Sequence, residues 1–193
     1  SSTNIMAITA AIIQARTGST RLPGKVLMHV AGMTILELLI RRLQRSKELQ
    51  VSIIATTDKV ADDQIVEIAE RCGAKSYRGK EDDVLDRYYQ AALKFSVDTI
   101  VRITSDCPLM DPMIVDSVIR FYRTNGAAFD YVNNFFPPTF PHGMDMEVFS
   151  FAALEKAWHE ATQPNEREHV TPYIAYHPTQ FRRGYVHHDT DLS

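Results

Sequence analysis

The sequence predicts an α/β protein with three layers, α/β/α, in which helices cover both faces of a mostly parallel, Rossmann-like sheet. Short runs rich in β-branched residues alternate along the chain with longer segments that repeat apolar residues at helical spacing. The connections between them are short, and this alternation is typical of parallel sheets. We therefore expect ligands to bind at the carboxyl ends of the strands.

The first half of the chain predicts five elements in alternating order. Residues 8–15 form an apolar run that predicts the first strand. Thr34 and Glu37 have the spacing of a capping box, which predicts a helix from there to about residue 46. A strand, a helix that ends at a glycine and a short strand follow, at residues 51–56, 61–71 and 75–77.

The second half continues the alternation and then changes. A helix over residues 84–95 and a strand over residues 99–104 precede Asp111-Pro112, a helix start that leads to about residue 125. From residue 129 an irregular aromatic segment leads to a strand over residues 144–149 and two helical stretches. We interpret residues 129–150 as an appendage within one domain of residues 1–193, and residues 1–5 as a remnant ahead of the native start.

Composition excludes several classes of function. The chain has 193 residues, 45% of them hydrophobic, and its 21 basic and 24 acidic residues give a net charge of −3 without long blocks of one sign. Broad binding to nucleic acid or anionic lipid is therefore not expected. No apolar run approaches a membrane span, and Cys72 and Cys107 form no metal-binding pattern. We expect a cytoplasmic enzyme.

The loop after the first strand carries the clearest chemical signal. Residues 14–25 contain three cations, two glycines and three hydroxyl groups. Glycine lets backbone amides approach phosphate oxygens, while arginine and lysine supply charge, so the loop predicts a nucleoside triphosphate site. It is not a Walker A loop, because five residues separate Gly18 from Gly24 and Val26 follows Lys25. A solvated basic loop is the alternative.

Five segments carry a resemblance that spans nearly the whole chain. They are IIQARTGSTRLPGKVL, DDVLDRYYQA, VRITSDCPLMDP, HGMDMEVFSFAALEKAW and NEREHVTPYI. Together they resemble the nucleotidyltransferases that activate acidic sugars with CTP, such as CMP-ketodeoxyoctonate and CMP-sialate synthetases, and most closely the spore-coat polysaccharide branch of cytidylyltransferases. The resemblance implies a nucleotide-diphospho-sugar transferase-like fold, Mg²⁺ as cofactor and a homodimer.

The resemblance also implies residues for the nucleotide side of the site. Arg16 and Lys25 would stabilise the departing pyrophosphate, and Asp106 would hold Mg²⁺ against the triphosphate; a turn cap is the alternative for Asp106. An ion pair with Asp83 on the helix surface is the alternative for Arg87. The full set of nucleotide contacts that we expect is Ala15, Arg16, Gly18, Ser19, Thr20, Arg21, Lys25, Thr57, Asp58 and Arg87.

For a second group of polar residues, the resemblance implies a place in a sugar pocket. Asp145 and Glu147 are two apart on a predicted strand, so their side chains share one face of the sheet. The candidates for sugar contact are Asn133, His142, Asp145, Glu147, Arg167 and His169. Solvent exposure is the alternative for the two carboxylates, helix capping for residues 166–169, and ordinary core packing for the aromatic residues 135 and 136.

The resemblance, together with the basic loop, implies a Mg²⁺-dependent cytidylyltransferase that forms a CMP-sugar and pyrophosphate from CTP and an acidic sugar, for surface polysaccharide or glycan biosynthesis. One alternative is a nucleotide-sugar-dependent glycosyltransferase of related fold, for which Asp189-Thr190-Asp191 has the D-x-D spelling. Another is a catalytically silent nucleotide-binding module. The resemblance implies a second acidic metal ligand in a later strand and loop, and no counterpart precedes Ser193, so the number of metal ions stays open.

Overall fold

A seven-stranded mixed sheet forms the centre of the molecule. The computed structural model describes residues 7–18, 24–105, 108–125, 128–136, 138–140 and 143–188. The strands of these residues are β1 Thr9–Gln14, β2 His29–Val30, β3 Met33–Thr34, β4 Val51–Thr57, β5 Lys75–Gly79, β6 Thr99–Ile103, β7 Tyr131–Asn133, β8 Met146–Ser150 and β9 Arg183–Tyr185. Strands β2 and β3 form a separate hairpin, and the sheet order is β5-β4-β1-β6-β8-β7-β9.

The sheet is mostly parallel, as predicted. β1 pairs in parallel with β4 and with β6, and β4 pairs in parallel with β5. β8 is antiparallel to both β6 and β7, and β9 is parallel to β7. Among the seven described strands of this sheet, β8 alone therefore runs against the others. The carboxyl ends of the remaining six meet at one edge, where ligands of such sheets bind.

Helices cover both faces of the sheet and complete the predicted three layers. They are α1 Ile35–Leu43, α2 Asp63–Arg71, α3 Val84–Lys94, α4 Pro112–Thr124, α5 Phe151–Glu160, α6 Pro164–His169 and α7 Pro172–Ala175. Side chains alternate across β1, so Ile13 packs with α1, α2 and α4, whereas Ile12 packs with α3, α5 and α7. No helix in the described part of the chain has the length and apolar character of a membrane span.

Thr34 and Asp111 are the N-caps of α1 and α4, as predicted, but the reciprocal half of the capping box is not formed, because the Glu37 carboxylate pairs with Arg41 and Arg71. The Thr34 hydroxyl accepts a hydrogen bond from the Glu37 amide at 3.1 Å, and the Asp111 carboxylate accepts one from the Met113 amide at 2.8 Å. The segment predicted as an appendage is instead part of the sheet, because it contains β7 and β8. β8 begins at Met146, so Asp145 precedes the strand and is exposed.

Candidate active site

A buried carboxylate fastens the base of the basic loop that follows β1. Asp62 is 2% exposed, and its Oδ1 accepts hydrogen bonds from the amide and the hydroxyl of Thr17, both at 2.8 Å. Its Oδ2 accepts a hydrogen bond from the hydroxyl of Thr57 at the end of β4. The Gly24 amide donates to the Thr17 carbonyl at 3.0 Å, and Gly24 has the left-handed φ of +71° that glycine tolerates. These bonds join both described ends of the loop to β4.

Cations from separate elements meet beside this loop. Arg16 Nη1 donates to Glu81 Oε1 at 2.8 Å and to the Gly18 carbonyl at 3.0 Å. Glu81 also pairs with Lys59, whose hydrogen bond is the main cause that lowers the pKa of Glu81. Lys25 is half-buried in the 3₁₀ turn Lys25–Leu27, and the described residues give its ammonium group no ion pair. The loop thus has positive charge available for an anion.

Arg87 is the most unusual residue of the region. It is fully buried at 0% exposure, and none of the described residues forms a hydrogen bond with its Nε, Nη1 or Nη2 atom. Its stem packs so tightly against Gly79 that a Cβ there would lie 3.0 Å from Arg87 Cγ. Burial is the main cause that lowers the pKa of Arg87, and the charge of Arg16 adds to it. A buried guanidinium is costly unless polar atoms surround it, so Arg87 needs hydrogen-bond partners beyond those that the described residues supply, such as the oxygens of an anionic ligand.

The alternative interpretation of Arg87, as a surface partner of Asp83, is wrong. Asp83 caps α3 by accepting a hydrogen bond from the Asp86 amide at 3.0 Å. The same carboxylate pairs with Arg167, whose Nη2 lies 2.8 Å from Asp83 Oδ2. Arg87 therefore faces inward, toward β5 and the basic loop, while Asp83 is occupied by α6.

A cavity of about 500 Å³ is lined by residues of β6, β8, β7 and β9. Strands form its floor and the α6–α7 segment forms a wall. Two aromatic side chains at its rim are exposed, Phe136 at 66% and Tyr176 at 77%. The complete lining is Arg102, Tyr131, Asn133, Phe135, Phe136, Glu147, His169, Thr171, Pro172, Ala175, Tyr176, Arg183 and Tyr185.

Hydrogen bonds hold the cavity floor together. Arg102 Nη1 donates to Glu147 Oε1 at 2.8 Å, and the Tyr131 hydroxyl donates to Glu147 Oε2. Asn133 Nδ2 in turn donates to the Tyr131 hydroxyl at 3.2 Å. Burial, followed by the charge of Glu147, raises the pKa of Tyr131 far above its ordinary value, so this phenol is a neutral donor. The floor is a fixed polar surface that can orient a hydroxylated ligand.

A family model described as cytidylyltransferase matches residues 10–191. The chain belongs to the cytidylyltransferase family. This membership agrees with the resemblance seen in the sequence and favours the transferase prediction over the glycosyltransferase and the silent nucleotide-binding module. The Asp189-Thr190-Asp191 spelling on which the glycosyltransferase alternative rests lies outside the described residues.

Relatives of this cytidylyltransferase cover most of its length. An uncharacterized protein of Methanocaldococcus jannaschii is 46% identical over 91% of this chain and 70% of its own. The spore coat polysaccharide biosynthesis protein SpsF of Bacillus subtilis is 35% identical over 89% of this chain and 71% of its own. A solved cytidylyltransferase from Leptospira borgpetersenii has a TM-score of 0.92 and 37% identity, and the match covers 97% of this chain and 79% of that one.

The cytidylyltransferase fold brings the predicted nucleotide residues together as far as the structure describes them. Arg16, Gly18 and Arg87 surround the base of the loop, and the Ala15 amide bonds to β4. The Thr57 hydroxyl is taken by Asp62, and Asp58 is exposed at the end of the same strand. Five predicted site residues lie outside the described residues: Ser19, Thr20, Arg21, Asp106 and His142.

The predicted sugar residues separate into two groups. Asn133, Glu147 and His169 line the cavity, whereas the exposed Asp145 does not. Arg167 is also absent from the lining: besides Asp83, it binds the Trp158 carbonyl at 2.7 Å. A sugar-binding role for Arg167 stays a prediction, and its contacts are those of a residue that joins α6 to α3.

Sequence reasoning missed Arg102, Tyr131 and Asp62. Arg102 has a detectable signal, because it interrupts the apolar strand β6 with a cation. Asp62 and its neighbour Asp63 form an acidic pair before α2, and the sequence does not indicate which of the two is buried. Tyr131 has no distinguishing signal, because aromatic residues are common in β-strands.

Proposed function

We propose that this cytidylyltransferase is Mg²⁺-dependent and joins CTP to a hydroxyl group of an acidic sugar, with release of pyrophosphate. The observation that carries the choice of an acidic sugar is the cavity lining, where cations accompany amide, phenol and hydroxyl groups. Arg102 and Arg183 supply the cations, His169 adds an imidazole, and Glu147 is the lining carboxylate. The volume of about 500 Å³ falls in the usual range for small-molecule sites, about 300–1,000 Å³.

The loop after β1 is the proposed triphosphate site. Arg16 and Lys25 approach it from opposite ends of the loop, and the two glycines leave room for backbone amides near phosphate oxygens. Arg87 supports the assignment because its guanidinium is buried beside Arg16 and has no hydrogen-bond partner among residues 7–18, 24–105 and the later described ranges. CTP would supply acceptor atoms to these donors.

The donor set at this edge suits Mg²⁺ bound together with a nucleotide. The described residues contain no group of three His, Cys, Asp or Glu side chains that could cage a metal ion. Mg²⁺ at phosphate sites needs only one or two carboxylates, because the phosphates and water complete its octahedron. Asp106 would supply the carboxylate, since it follows β6, which leads to the same edge as β1. Bound Mg²⁺ would act as a Lewis acid that neutralises charge on the α-phosphate.

The reaction is a displacement at phosphorus. The sugar hydroxyl oxygen attacks the α-phosphorus, and the bond from that phosphorus to the bridging oxygen of the β-phosphate breaks. Pyrophosphate leaves with the electron pair, and the hydroxyl proton passes to solvent. Arg16 and Lys25 stabilise the negative charge that grows on the leaving group, and the cavity floor orients the sugar. Positioning and charge account for the protein's contribution.

The proposal has three further parts. A homodimer is supported by the exposed Phe136 of the aromatic segment. A role in surface polysaccharide biosynthesis is supported by the name of the Bacillus subtilis relative. A cytoplasmic location agrees with the free thiol of Cys72, because thiols stay reduced in that compartment.

Pyrophosphate release from CTP and a panel of octulosonic and nonulosonic acids tests the proposal. We expect release with Mg²⁺ and none after chelation by EDTA. Lys25→Ala and Asp106→Ala should each lower kcat at least about a hundredfold, because each removes charge at the reacting phosphates. Lys75→Ala, on the exposed edge strand β5, is the matched control. Release that persists in EDTA contradicts the role of the metal, and normal rates in both variants contradict the assigned site.

A further inference from the structure

A carboxylate lies among the cations beside the nucleotide loop. Glu81 follows β5, and its oxygens are shared between two cations: Oε1 accepts from Arg16 Nη1 at 2.8 Å, and Oε2 pairs with Lys59. The carboxylate also lies against the loop backbone, because a Cβ at Gly18 would lie 3.5 Å from Glu81 Oε1. Carboxylates and phosphates are bound by the same charge-assisted donors. Glu81 therefore occupies a position that also suits a phosphate group.

Glu81 takes up the donors of Arg16 that face the loop. The Nη1 atom of an arginine carries two N–H groups. In Arg16 one of them is directed to the Gly18 carbonyl at 3.0 Å and the other to Glu81. The side chains of Arg16 and Glu81 are 24% and 26% exposed, so a ligand from solvent can reach the pair. A phosphate oxygen that binds Nη1 on this side must therefore displace the Glu81 carboxylate.

The ion pair with Glu81 is not needed to place the main chain of Lys59. The Lys59 amide donates to the Thr57 hydroxyl at 3.2 Å, and the Lys59 carbonyl accepts from Arg78 Nη2 at 2.6 Å. Its side chain is 62% exposed, and Glu81 is the one ion-pair partner that the described residues give its ammonium group. Glu81 is not needed to cap α3 either, because Asp83 does so. The contact therefore gathers charge at the loop and can be exchanged for a ligand.

We infer that Glu81 exchanges places with the pyrophosphate end of CTP. The inference rests on the proposed function, which assigns Arg16 to the departing pyrophosphate. Before CTP binds, Glu81 holds Arg16 and Lys59 together and offsets their mutual repulsion. The β- and γ-phosphates then take both cations, so Lys59 is a further phosphate ligand. After the reaction, the return of Glu81 to these cations favours the release of pyrophosphate, a step that often limits turnover. Glu81 is thus a positioning residue that touches no reacting atom.

Calorimetric titration with three probes tests the exchange: CTP, inorganic pyrophosphate and CMP, each with Mg²⁺ and without sugar. Glu81→Gln keeps the shape of the side chain and removes its charge, and Lys59→Gln removes the inferred phosphate ligand. The matched control is Asp82→Asn, which removes an exposed negative charge one residue away. Urea unfolding of each variant checks that it is folded.

We expect Glu81→Gln to bind CTP and pyrophosphate about three- to tenfold more tightly than wild type, because the phosphates no longer compete with a carboxylate. Lys59→Gln should bind both about three- to tenfold more weakly. The affinity for CMP should change less than about twofold in either variant, because CMP lacks the pyrophosphate end, and Asp82→Asn should change every affinity by less than that factor.

Tighter binding after the loss of a charged side chain is a result that damage to the fold would not produce. If wild type binds CTP and Glu81→Gln binds it equally or more weakly, the inference is overturned and the proposed function stands. An equal gain in Asp82→Asn, or for CMP, also overturns the inference, and unchanged CTP affinity in Lys59→Gln overturns the role of Lys59. Wild-type protein that neither binds CTP nor releases pyrophosphate from it overturns both the inference and the proposed function.

Discussion

The Asp62 carboxylate accepts two hydrogen bonds from Thr17, one from its amide and one from its hydroxyl, each 2.8 Å long. A third, from Thr57, fixes the carboxylate to the end of β4. The first residues of the loop that would bind the triphosphate are therefore fixed to the sheet through Asp62. This arrangement pre-organises the loop before a nucleotide arrives.

Removal of the Asp62 carboxylate should both destabilise the protein and weaken nucleotide binding. Asp62→Ala leaves three donors without their acceptor, so we expect the free energy of unfolding to fall by about 2–4 kcal/mol. The KM for CTP should rise, because the loop loses its anchor. Urea unfolding and steady-state kinetics measure the two effects. The control is Asp63→Ala, which removes an exposed partner of Arg78 and should cost less than about 1 kcal/mol. Equal losses in both variants would contradict the account.

The same carboxylate makes stability depend on acid pH. Burial acts to raise the pKa of Asp62, but hydrogen bonds from Thr57 and Thr17 outweigh it and hold the pKa below its ordinary 3.8. A lowered folded-state pKa adds stability that is complete above the unfolded-state pKa and is lost as pH falls through the folded-state value. The difference in unfolding free energy between wild type and Asp62→Asn should stay constant above about pH 5 and shrink below about pH 4. A constant difference down to about pH 3 contradicts this.

Arg87→Met separates binding from stability. The substitution removes a buried charge that has no hydrogen-bond partner in the part of the chain that the structure describes, so the free energy of unfolding without nucleotide should stay within about 1 kcal/mol of wild type or rise. CTP affinity should fall at least about tenfold, because charge-assisted hydrogen bonds to the ligand are lost. Urea unfolding and calorimetric titration with CTP give both quantities. Loss of more than about 2 kcal/mol with unchanged CTP affinity would assign Arg87 to the fold instead.

Arg167→Met should have the opposite profile. It breaks the ion pair with Asp83 and the hydrogen bond to the Trp158 carbonyl, which join α6 to α3. We expect a loss of about 1–3 kcal/mol in unfolding free energy and a KM for the acidic sugar within about twofold of wild type. A KM at least tenfold higher at unchanged stability would restore Arg167 as a sugar ligand.

The order of elements and the edge of the sheet that carries the site were predictable, because periodicity and caps are local signals. Two helix starts are indicated by residues close together in sequence, Thr34 with Glu37 and Asp111 with Pro112. The place of β8 was not predictable, because an antiparallel strand inserted between β6 and β7 is a long-range pairing. Its insertion makes β7 and β8, both within the segment predicted as an appendage, strands of the central sheet.

Within the site, the residues that were missed or misplaced depend on contacts far apart in sequence. Arg167 is a residue type that commonly binds anions, but in the structure it pairs with Asp83, which is 84 residues away in sequence. The sequence is equally consistent with Arg87 as a surface residue and as a buried one. Only the packing of α3 on Gly79 shows that Arg87 is buried. Asp62 and Tyr131 acquire their roles only when β4 meets β1 and β7 meets β8.

The most direct test of the central claim is pyrophosphate release with each of the four nucleoside triphosphates, Mg²⁺, and either an octulosonic or nonulosonic acid or a neutral hexose as acceptor. The account predicts release with CTP and the acid, together with a product whose mass is that of the CMP-sugar. Equal release with all four nucleotides would contradict the assigned nucleotide. Release with the neutral hexose but not with the acid would contradict the assigned acceptor.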